Sequence, residues 1–146
     1  MKKLNRLVLP LCLLAFTLST DNLAHAAETN APAKSTQTAK AAQLVDANEA
    51  AKLIADKKVV LLDVRTADEF ADGHIAGATN IASHKPDFKE QLEKLDKNQS
   101  YLVYCAGGFR SAKSCKVMNE LNFKSLYDLK GGIHAWQEAG KPVEKK

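Results

Sequence analysis

Beyond residue 43 the chain alternates short unbroken apolar runs with stretches in which apolar positions recur every three or four residues. Val59-Val60-Leu61-Leu62, ending at Asp63, is the first run, and Tyr101-Leu102-Val103-Tyr104, ending at Cys105, is the second. Successive apolar residues suit a strand covered on both faces, the situation inside a parallel sheet. Asn80-Ile81 is a weaker strand candidate, and Ser125 to Leu129 reads as a further strand. Helical patterns fill the intervals. Asp46, with Glu49 three residues on, forms a capping box ahead of the stripe Ala50, Leu53 and Ile54. A short helix is expected over Ala67 to Ala71, stopped by Gly73, and another over Asp87 to Leu95 with Phe88, Leu92 and Leu95 on one side. Residues 111 to 121 place Ser114, Cys115, Val117, Met118 and Leu121 on one face, and Lys113, Lys116 and Glu120 on the other. Gly131-Gly132 breaks the chain before a last helix holding Ile133 and Trp136. This alternation predicts an α/β fold, doubly wound, with a mostly parallel central sheet flanked by helices. Such sheets carry their sites at the carboxyl ends of strands, where Cys105 falls.

The first 26 residues carry a different pattern. Lys2, Lys3 and Arg6 precede an apolar run from Leu7 to Leu18, and Ala24-His25-Ala26 fits a small-x-small cleavage rule, with Ala27 the expected mature N-terminus. The run falls well short of the roughly 20 residues a spanning helix needs. Cys12 has Leu11 before it where lipid attachment would want a small residue. The expectation is a cleaved signal peptide (1–26), a flexible leader (27–42) with nothing large to bury, and a single domain (43–146) in the periplasm with no membrane association.

Composition narrows the class. Of 146 residues, 45% are hydrophobic and 26% charged, values of a soluble globular protein. Three of the 21 basic and one of the 17 acidic residues lie before residue 27, leaving 18 against 16, which is no footprint for nucleic acid. Three cysteines, one of them in the signal segment, exclude a disulfide framework. No C-x-x-C or His-rich spacing points to a metal, and no cofactor is called for.

The chemistry concentrates at Cys105-Ala106-Gly107-Gly108-Phe109-Arg110-Ser111, where a strand ends, two glycines follow and a helix begins. Glycines let the backbone curl until several amide N–H groups point inward. The first helical turn adds unpaired donors and a partial positive charge. A sulfur held in such a cup is favoured as thiolate, and Arg110 adds a cation. The expected substrate is a small anion with an atom that thiolate can attack.

Leu61-Leu62-Asp63-Val64-Arg65, Glu69-Phe70, Gly73-His74-Ile75-Ala76-Gly77-Ala78, the C-x-x-G-x-R-S loop, and Leu129-Lys130-Gly131-Gly132-Ile133 with Trp136 together resemble the rhodanese-like domain family over Leu44 to Val143. The resemblance implies a sulfurtransferase in which Cys105 takes sulfane sulfur from thiosulfate or a similar donor as a persulfide. It then passes the sulfur to cyanide or a thiol, and the loop residues Ala106 to Arg110 hold it. Four residues separate Cys105 from Arg110, one fewer than in the related cysteine phosphatases, so the cup suits one sulfur rather than a phosphate. The resemblance gives Asp63 and Arg65 a loop-shaping role by ion pairing, and His74 a loop-fixing role rather than that of a general base. Phe109 shields the sulfur, narrows the entrance or simply packs on its neighbours. His84 and His134 read as solvated surface, Cys115 and Trp136 as core, and a Cys105–Cys115 bridge is not expected. The alternative is a non-catalytic sulfur-carrier or interaction module of the same fold. A thiol redox partner would need paired cysteines.

Overall fold

The computed structural model describes residues 41–146. The expected signal segment, and the expected leader up to residue 40, lie outside the described residues. Five strands, β1 (Gln43–Val45), β2 (Val60–Asp63), β3 (Thr79–Asn80), β4 (Ser100–Tyr104) and β5 (Ser125–Leu129), form one sheet in the order β1-β5-β4-β2-β3. Every pairing is parallel. Five helices alternate with them: α1 (Ala47–Ala55), α2 (Ala67–Asp72), α3 (Phe88–Glu93), α4 (Phe109–Glu120) and α5 (Gly132–Glu138).

β4 is the central strand, and its alternation builds both cores. Tyr101, Val103 and Cys105 face one side, where they meet Phe88 and Leu92 of α3 and Cys115 and Met118 of α4. Leu102 and Tyr104 face the other, against Ala50 of α1 and Ile133 and Trp136 of α5. Burial on both faces explains the apolar runs Leu61-Leu62 in β2 and Tyr101 to Tyr104 in β4. Trp136 is core, with its indole N–H donating to Pro142 O at 2.9 Å.

The expected doubly wound arrangement is present, with differences in detail. The sheet is wholly parallel rather than mostly so. β1 carries no strand signal because only Val45 of its three residues is buried, while Leu44 is 58% exposed. Its backbone is recruited by β5, with Gln43 beside Tyr127 and Val45 beside Leu129. α4 starts at Phe109, two residues before the expected position, because Gly108 takes a φ of +98° and turns the chain into the helix at once. Val117 is half-buried at the edge of the α4 stripe. Asp46 and Glu49 form the expected capping box on α1, and Thr66 and Glu69 form a second one on α2. Among the described residues no helix is long and apolar enough to cross a membrane.

Leu102, fully enclosed at the centre of the sheet, sets the first test. Leu102→Ala should lower stability by about 2–5 kcal/mol, read as a shift in the denaturant midpoint at unchanged slope.

Candidate active site

Cys105 directly follows β4, and only Ala106, Gly107 and Gly108 separate it from α4. Its sulfur is turned back toward the helix: the Gly108 amide donates to Cys105 Sγ at 3.1 Å. The two carbonyls that open this segment point elsewhere. Ile133 N donates to Cys105 O at 2.8 Å and His134 N to Ala106 O at 3.2 Å, both from the start of α5. A trans peptide holds its C=O and N–H on opposite sides, and among the described residues none of the peptides is cis. The Ala106 and Gly107 amides therefore point away from α5.

The first α-helical bond of α4 runs from Ala112 N to Gly108 O at 3.1 Å, so the amides of Phe109, Arg110 and Ser111 precede it and have no partner within the helix. Of the loop amides, Gly108 N is the one that reaches the sulfur. Ser111, fully buried, places Oγ 3.7 Å from Sγ while its hydroxyl donates to Gly108 O at 3.0 Å.

Gly132 makes the docking possible. Its φ is +60°, and a Cβ there would overlap the carbonyl oxygens of Cys105 and Ala106. Its role, like those of Ser111 and Glu69, escaped the sequence reading. The Gly131-Gly132 pair was legible as a chain break, but not as a seat for the cysteine loop.

Arg110 is not the free cation expected. Its Nη1 and Nη2 each donate at 2.7 Å to the two carboxylate oxygens of Glu69 on α2. The Arg110 guanidinium, aided by Thr66, holds the Glu69 carboxyl down at about 2. The pair is an anchor between α2 and the first turn of α4. Phe109 is 72% exposed, and the Lys113 ammonium lies 4.4 Å from its ring centroid.

Asp63, Arg65 and His74 form a scaffold beside the loop. Asp63 is fully buried. Its carboxylate accepts from Arg65 N at 2.8 Å and Nη2 at 2.7 Å, and Arg65 Nη2 donates again to Gly73 O at 2.6 Å. This clamp ties the end of β2 to the turn after α2. The His74 ring stacks on Phe70, with Nδ1 2.9 Å from Phe70 O and Nε2 3.3 Å from the Glu144 carboxylate. Both ring nitrogens face α2 and the C-terminal segment, so the ring is not aimed at Cys105. His84 and His134 are exposed. Cys105 and Cys115 are both free thiols, and burial pushes the Cys115 thiol up to about 12.

A parallel sheet with a cysteine cradled between strand and helix defines a class, and comparison with known proteins supplies the family. The chain belongs to the rhodanese-like domain family, which residues 46–139 match. It is 38% identical over 91 residues to the putative sulfurtransferase YtwF of Bacillus subtilis, covering 62% of this chain and 85% of that protein. It is 36% identical over 89 residues to the thiosulfate sulfurtransferase GlpE of Coxiella burnetii, covering 61% and 81%. The crystal structure of a rhodanese-related protein from Thermoplasma volcanium superposes with a TM-score of 0.65 at 32% identity, covering 71% of this chain and 99% of that one.

The Glu69–Arg110 pair yields a pH test. A carboxyl that titrates at about 2 when folded, against an ordinary 4.5, contributes stability that is fully present above pH 4.5 and is lost as pH falls toward 2. Glu69→Gln should therefore be less stable than the wild type at neutral pH, with the difference vanishing over that window. Denaturant midpoints measured across it check the expectation. Both side chains are about a third exposed, so added salt should shrink the difference.

Proposed function

We infer that the protein is a sulfurtransferase that moves sulfane sulfur through a persulfide on Cys105. The observation that carries this reading is the Gly108 amide on Cys105 Sγ at 3.1 Å, at the start of α4. Donors fixed in place before reaction stabilise an anion without reorganisation. The names of the relatives YtwF and GlpE support the reaction class, and GlpE's name supports thiosulfate as donor.

In the first half-reaction the Cys105 thiolate attacks the outer sulfur of thiosulfate. The thiosulfate S–S bond breaks, sulfite leaves with the electron pair, and a Cys105 persulfide anion remains. In the second, a thiolate or cyanide attacks the outer sulfur and Cys105 departs as thiolate. Two nucleophilic displacements replace one direct transfer. The loop's width, four residues between Cys105 and Arg110, supports a cup for a single added sulfur rather than a tetrahedral phosphate. Cys105 is only 1% exposed, so an acceptor needs to reach only the added atom. Ala106 to Phe109 supply the cup, and the Glu69-bound Arg110 holds the helix that completes it. Asp63, Arg65 and His74 brace its flank. The signal-like residues 1–26 support action after export to the periplasm.

Incubation with thiosulfate should add the mass of one sulfur to the Cys105 peptide, and cyanide should then release it as thiocyanate. Cys105→Ser should abolish both while unfolding like the wild type. An unmodified Cys105 would overturn the proposal. Loading without turnover to cyanide or a dithiol would assign the carrier role instead.

A further inference from the structure

Three large hydrophobic side chains stand in solvent among the described residues: Leu44, Val60 and Phe109. Val60 opens β2, at the amino edge of the sheet, and Leu44 lies on β1, two strands from β4. Phe109 alone of the three is at the carboxyl edge, and it directly follows Gly108, whose amide holds the Cys105 sulfur at 3.1 Å. Consecutive Cα atoms are about 3.8 Å apart, so the ring hangs from the rim of the site. Helical side chains lean toward the N-terminus of their helix and cover the turn before them. At the first position of α4, that turn is the cysteine loop. A ring 72% exposed is neither packed on its neighbours nor a lid over the sulfur.

A cation accompanies the ring. Lys113, one turn on, brings its ammonium over it, 4.4 Å from the centroid. An ammonium has three N–H donors and no acceptor, and no carboxylate lies within ion-pair distance of Lys113 among the described residues. Of the acids that α4 packs against, Glu69 is taken by Arg110. Asp128, in register with Val103 and so on the cysteine's face of the sheet, is buried beneath the helix. α4 carries Arg110, Lys113 and Lys116 before its one acid, Glu120. The rim thus offers an open aromatic surface beside an unpaired cation. One ring is far smaller than the roughly 800 Å² a side that a protein partner buries, so the patch fits a small molecule.

We propose that Phe109 and Lys113 select the sulfur acceptor, and that the acceptor they fit is a small organic thiol carrying an aromatic ring and a carboxylate. The acceptor's ring lies against Phe109, its carboxylate meets the Lys113 ammonium, and its sulfur enters the loop. The acceptor first loses its S–H proton to solvent. Its thiolate then attacks the outer sulfur of the Cys105 persulfide, and the bond between the two persulfide sulfurs breaks. Cys105 keeps that electron pair as thiolate, and the acceptor leaves as a persulfide anion. Sulfane sulfur changes carriers, and no external oxidant or reductant enters. The inference deepens the sulfurtransferase reading and rests on it. Cyanide has no body to lay on the ring and serves as the reference acceptor.

The second half-reaction can be read alone. Protein loaded with thiosulfate and freed of donor is discharged with 4-(mercaptomethyl)benzoate, with benzyl mercaptan, which lacks the carboxylate, or with cyanide. Loss of one sulfur mass from the Cys105 peptide gives each second-order rate constant. Phe109→Ala should lower the rate ratio of either thiol to cyanide by about two- to tenfold, the range of an aromatic pair, and Phe109→Tyr should restore it. Lys113→Gln should lower the ratio of the carboxylate thiol to benzyl mercaptan by about two- to fivefold, the range of an exposed ion pair. Added salt should lower that same ratio in the wild type and leave it unmoved in Lys113→Gln. Both side chains are exposed, so the variants keep the fold. A wild type that takes up no sulfur is seen before any acceptor is added, and it overturns the sulfurtransferase reading and this inference with it. Loading followed by ratios that neither variant changes overturns this inference alone.

Discussion

The site depends on two backbone hydrogen bonds that never touch the sulfur. Ile133 N and His134 N, at the start of α5, take the carbonyls of Cys105 and Ala106. Planar peptides then leave the amides on the far side of the chain. A backbone free to rotate would point some carbonyls toward the sulfur and repel an anion. Pinned from outside, the segment turns the Ala106 and Gly107 amides away from α5, and Gly108 N donates to the sulfur. Gly132 is required because a side chain there would stand where those carbonyls lie. Two segments more than twenty residues apart are thus one structural unit.

The paired charges around the site are arranged to position rather than to attract. Arg110 is bound by Glu69, Arg65 by Asp63, and His74 is stacked on Phe70 and faces Glu144. Each pair or stack joins two elements: α2 to α4, β2 to the turn after α2, and that turn to the C-terminal segment. The Gly108 amide on the sulfur is a fixed dipole that needs no reorganisation when an anion forms.

Much of this was legible in the residues. The apolar runs at Val59–Leu62 and Tyr101–Tyr104 appear as β2 and β4 because a strand buried on both faces has no polar position to show. The strand–glycine–helix order put Cys105 at the carboxyl edge, and the Asp63–Arg65 pairing was implied by the resemblance to the rhodanese-like family. β1 was invisible because a three-residue edge strand buries a single side chain. The early start of α4 was missed because a glycine at positive φ begins a helix without the side-chain cap that a sequence would display.

The amino-acid sequence by itself determined the alternation of strands and helices, the parallel sheet and the place of the cysteine, since these follow from local periodicity and the sparing use of glycine. Only the tertiary structure decided that Glu69 pairs with Arg110, that α5 holds the cysteine loop by its carbonyls, and that Asp128 lies under α4 on the cysteine's face of the sheet. Those contacts join residues far apart in the chain, and their partners are chosen by strand order and helix docking, which no local pattern encodes.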